Sequence, residues 1–84
     1  QLVRFHGIFV DQPNIIEGQI IQETLDQFVV KVVPTTAFSQ LDIDDIQQRM
    51  FQRLGSKISV RVITVDDIPR TESGKFRAVI SKVE

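Results

Sequence analysis

The stretch Asp26-Gln27-Phe28-Val29-Val30-Lys31-Val32-Val33-Pro34 decides the fold. Phe28, Val30 and Val32 point one way; Val29, Lys31 and Val33 point the other. This is the period of two that belongs to a β-strand, and both of its faces are largely apolar. Immediately upstream, residues 14–24 are rich in isoleucine and interrupted only by Glu17-Gly18. The link Thr24-Leu25-Asp26-Gln27 between the two runs is short and polar, which makes an antiparallel hairpin the economical connection. Gly18, inside the first strand, is expected to mark a bulge.

Working outward, residues 34–39 read as a loop. Ser39 or Asp42 is placed to cap a following helix, and Asp42, Asp44 and Asp45 suit the positive end of its dipole. Ile43, Ile46, Met50 and Leu54 recur at intervals of three and four, and Gly55 is a good residue to end the helix. Residues 57–65 alternate again, with Ile58, Val60 and Val62 opposed to Ser59, Arg61 and Ile63, so a third strand is expected there. A polar segment with Pro and Gly punctuation follows, and beyond it Phe76, Val79, Ile80 and Val83 are read as a final helical turn or strand, the short helix being favoured. At the other end, Leu2, Phe5 and Phe9, with Val3 and Val10 beside them, form the stripe of a short amphipathic helix, weakened by Gly7 and ended by Asp11-Gln12-Pro13. The order α-β-β-α-β-α predicts an α+β domain: a small mixed sheet of about three strands with helices packed on it. The strand–helix–strand unit implies a right-handed crossover, and strand order stays open.

Composition bounds the function. Eighty-four residues make a single domain, one that buries roughly 60–65% of its unfolded surface. Ten basic and eleven acidic side chains give a net charge of −1, which argues against a nucleic-acid binder. The absence of cysteine excludes a disulfide framework and thiolate metal sites, and it allows a reducing, cytoplasmic setting. No apolar run approaches the ~20 residues that cross a bilayer, so no membrane partner is expected. A first residue of Gln, rather than Met, suggests a chain cut from something longer.

Several residues invite chemistry and decline it. His6 is the only histidine and has no carboxylate partner at helical spacing, so a surface or partly buried role outweighs catalysis. Asp42, Asp44 and Asp45 are explained by the start of a helix, and no calcium-loop pattern surrounds them. Asp66-Asp67 read as a solvated strand end. Gly74-Lys75 is not a P-loop, because Pro69 stands where the first glycine is needed and Phe76 where Ser or Thr would bind magnesium. What persists is local positive charge at Arg70, Lys75, Arg77 and Lys82. Lys75 has the most distinctive setting: Gly74 lets backbone approach a ligand closely, and Thr71 and Ser73 offer hydroxyls beside a cation suited to phosphate or carboxylate oxygens.

The run Ile68-Pro69-Arg70-Thr71-Glu72-Ser73-Gly74-Lys75-Phe76-Arg77 resembles the C-terminal signature of adenylate-forming enzymes: Pro, a basic residue, Thr, any residue, Ser or Thr, Gly, Lys, then a basic residue. The continuation through Ala78-Val79-Ile80-Ser81 and the upstream Ile20-Ile21-Gln22-Glu23 look most like the phenylacetate–coenzyme A ligase branch, which includes proteins labelled capsular polysaccharide biosynthesis proteins. The resemblance implies that residues 1–84 are the C-terminal lid of a larger ligase whose N-terminal AMP-binding domain is absent here. It implies ATP and a carboxylic acid as substrates, Mg2+ held by that other domain, and coenzyme A as acceptor. Lys75 is then the adenylation lysine, on a loop shaped by Arg70, Thr71, Ser73 and Gly74 and supported by Arg77. The isolated chain is expected to be inactive and able to self-associate through an uncovered apolar face. A non-catalytic ligand-binding or regulatory module is the alternative.

Overall fold

The computed structural model describes residues 8–9, 11–69 and 79–82. Among them run four strands and one helix: β1 (Ile15–Thr24), β2 (Gln27–Pro34), α1 (Gln40–Leu54), β3 (Ser59–Thr64) and β4 (Val79–Ser81). The strands form one mixed sheet in the order β3-β2-β1-β4, so the α+β class expected from the sequence holds.

The hairpin is its centre. β1 and β2 pair antiparallel, with Thr24 opposite Gln27 and only Leu25-Asp26 between them. Leu25, at the tip, is left exposed. Each flank adds a strand in parallel: β3 beside β2, reached through α1, and β4 beside β1. The register therefore lines up Val62, Val30, Ile20 and Val79 on one face, and Arg61, Val29, Ile21 and Ile80 on the other.

The helix covers the first of these faces. Ile20, Phe28, Val30 and Val32 from the hairpin meet Ile46 and Met50 from α1 and Ile8 from the N-terminal segment, all almost wholly buried. Each such side chain contributes on the order of 1.5–3 kcal/mol when taken from water. α1 begins where the sequence places it. The Ser39 N–H donates to the Asp42 carboxylate at 2.9 Å, satisfying a donor the first turn cannot pair internally. It ends at Gly55, whose φ of 93° suits a residue without Cβ and whose N–H reaches the Phe51 carbonyl at 2.7 Å.

The acidic helix start does more than match a dipole. Asn14 Nδ2 donates to Asp42 at 3.2 Å, and Gln12 Nε2 donates to Asp45 at 2.6 Å. Arg49 pairs with Asp45 at 3.1 Å and donates onward to the Ile8 carbonyl at 3.2 Å. Through these bonds α1 holds the segment that leads into β1.

Three expectations need revision or placement. Residues 79–81 are a strand, not a closing helix, which raises the sheet from about three strands to four. Val79 and Ile80 are β-branched, and pairing with the β1 backbone gives their amides partners that an isolated helical turn this short leaves unmet. Gly18 does not mark the bulge. The register slips between Ile15 and Glu17, whereas Gly18 pairs regularly with Val32. What its missing side chain provides is space, because the Phe9 ring lies where a Cβ would project. The N-terminal helix expected over residues 2–10 falls outside the described residues except for Ile8 and Phe9.

Candidate functional site

β3 and β4 are the two edges of the sheet, and the segment joining them has to cross from one to the other. This segment carries the basic signature. Its entrance is fixed: the Val65 N–H donates to the Val32 carbonyl at 2.9 Å, Asp66 and Asp67 stand exposed, and Ile68 is 1% exposed. Pro69 follows on the surface. Its exit is fixed as well. Val79, Ile80 and Ser81 pair with Ile20, Ile21 and Gln22, and the Lys82 N–H donates to the Gln22 carbonyl at 2.9 Å. The Lys82 ammonium pairs with Glu23 at 3.2 Å, an exposed contact of small energetic weight.

Arg70, Thr71, Ser73, Gly74, Lys75 and Arg77 all lie outside the described residues, as does His6. The structure thus gives the two anchors of the signature rather than its own geometry. Nine residues separate Pro69 from Val79, a contour of roughly 30 Å.

A second feature lies on the sheet face turned away from α1. Ile21, Val29 and Ile63 form the apolar part of an open hollow of about 540 Å³, with Lys31, Arg61 and Lys82 among its walls. Lys82 is engaged by Glu23. Lys31, half-buried, and Arg61, exposed, have no ion-pair or hydrogen-bond partner among the described residues. The sequence marks only one of the pair: Lys31 interrupts an otherwise unbroken valine run, whereas Arg61 follows the alternation of β3. Nothing in the pattern says that two neighbouring strands bring them together, since that depends on register.

Among the described residues, no group of three or more His, Cys, Asp or Glu side chains is placed to hold a metal ion. No helix among them is long and apolar enough to cross a membrane. A protein-family model described as the CapK C-terminal domain matches residues 1–82. No curated protein matches the chain.

Proposed function

The chain belongs to the CapK C-terminal domain family, and from that premise we propose that it is the C-terminal lid of an ATP-dependent carboxylate-activating ligase, with Lys75 as the adenylation lysine. The observation that carries this reading is the run Pro69-Arg70-Thr71-Glu72-Ser73-Gly74-Lys75, with Arg77 two residues on. Two features support it. The family description is that of a C-terminal domain, which fits a module that completes a site built elsewhere. The signature also lies in the chain between two well-anchored points, buried Ile68 and paired β4.

In the proposed reaction, a carboxylate oxygen of the acid attacks the α-phosphorus of ATP. The new O–P bond forms as the bond to pyrophosphate breaks, leaving an acyl-adenylate. Lys75 supplies a positive charge between the attacking carboxylate and the phosphoryl group. It aligns two anions that otherwise repel and offsets the charge gathering at phosphorus. Gly74 allows the backbone close approach, Arg70, Thr71 and Ser73 shape the loop, and Arg77 anchors it. ATP, its Mg2+ and the acid are assigned to an N-terminal AMP-binding domain, in a cytoplasmic enzyme. Coenzyme A is assigned as acceptor after a rotation of the lid. A capsule-related ligase in the phenylacetate–coenzyme A ligase branch is the finer form of the reading.

The test is carboxylate-dependent ATP–pyrophosphate exchange by a full-length parent enzyme. Lys75→Ala is expected to lower the exchange rate about 100- to 1,000-fold, the usual effect of losing one preorganised charge donor. The 84-residue chain alone is expected to give none. Exchange that is unchanged in the Lys75→Ala enzyme overturns the catalytic role.

A further inference from the structure

We infer that the hollow on the sheet face turned away from α1 is a binding site for a small amphipathic anion, a phosphate monoester carried on a short apolar group, with Lys31 and Arg61 as its anion-binding residues. Ladder geometry brings the two cations together. Lys31 pairs with Ile63 and Arg61 with Val29, so they occupy diagonal positions on adjacent strands of one face. Strand spacing and rise put such positions about 8 Å apart. That separation lets two cations straddle one anion from either side.

No counter-charge among the described residues meets them. Among the described residues, the carboxylate of the hollow, Glu23, is taken by Lys82, and neither Lys31 nor Arg61 has a partner. Lys31 is half-buried, with Gln19 and Ile63 as its ladder partners, and a partly desolvated cation without a counter-charge is held at a cost that an incoming anion relieves. Arg61 adds a planar fork matched to phosphate oxygens. A phosphate monoester approaches a charge of −2 near neutral pH, which complements two cations better than a single carboxylate does. Beside them, Ile21, Val29 and Ile63 provide an apolar floor. At about 540 Å³ the hollow falls in the size range of small-molecule sites. The combination selects a ligand with an anionic head and an apolar body over inorganic phosphate or a plain alcohol. The site uses no residue of the Lys75 signature, so it stands or falls independently of the adenylation reading.

The experiment titrates the isotopically labelled 84-residue chain with hexyl phosphate and follows backbone amide shifts by NMR. The expected result is saturable shifts concentrated at Val29, Lys31, Arg61 and Ile63. Inorganic phosphate and hexanol, added separately, are expected to bind at least tenfold more weakly. Lys31→Gln and Arg61→Gln should each weaken hexyl phosphate binding about five- to tenfold. Retained spectral dispersion in both variants shows that the fold persists, and Arg61→Lys should recover part of the affinity. Shifts scattered over the surface lysines, equal response to inorganic phosphate, or wild-type affinity in both Gln variants overturns the inference.

Discussion

Gly18 sits in the middle of β1, opposite Val32, with the Phe9 ring filling the space a side chain there would need. Gly18→Ala must therefore push the ring aside or displace the strand. Overpacking of this kind typically costs about 1–3 kcal/mol. A drop of that size in the urea-unfolding free energy of the 84-residue chain is expected. Adding Phe9→Leu should restore part of it, with a coupling of about 0.5–3 kcal/mol in a double-mutant cycle. Zero coupling would show that the ring is not the obstacle. The sequence could flag Gly18 as special but not say why, since a glycine vacates space for a neighbour that only the tertiary structure supplies. The same limit applies to Lys31 and Arg61, whose meeting depends on strand register. Lys75 is the reverse case: seven residues of local pattern suggest a role without any three-dimensional information.

At the scale of elements, legibility followed length and periodicity. α1 spans fifteen residues with a clear apolar stripe, a capping residue and a terminal glycine, and it forms as the sequence predicts. The hairpin is equally plain, because alternation and a two-residue turn act locally. β4 is three residues long, too short to display any period, and its conformation is dictated by the β1 backbone beside it. The start of α1 carries a prediction of its own. Asp42 accepts from the Ser39 N–H and from the Asn14 side chain, so it caps the helix and ties it to the head of β1. Asp42→Ala should destabilise the chain by about 0.5–2 kcal/mol. Asp44→Ala, on an exposed neighbour that accepts from the Gln40 side chain one turn before it, should change stability much less. Thermal unfolding of the two variants side by side distinguishes a specific cap from a general preference for acidic residues at a helix start.

For the whole molecule, the order β3-β2-β1-β4 places the locally formed hairpin inside and the two strands that arrive by longer connections outside. Stability should be graded in the same way. In native-state hydrogen exchange, amides of Ile20, Ile21, Val30 and Val32 are expected to be protected longest, and those of β4 to open first. Uniform protection across the four strands would contradict this. The outer border of β3 has a further consequence. Ser59 and Val65 donate their amides inward to Asp26 and Val32, so the alternate residues, Val60 among them, turn backbone groups outward. Gln47 reaches down from α1 and donates its side-chain amide to the Val60 carbonyl at 3.2 Å. A foreign strand zippering onto this border would have to dislodge that amide before its first bond could form, which makes Gln47 a guard against runaway stacking. Gln47→Leu should leave the monomer folded yet shorten the lag before thioflavin-positive fibrils form in concentrated solution.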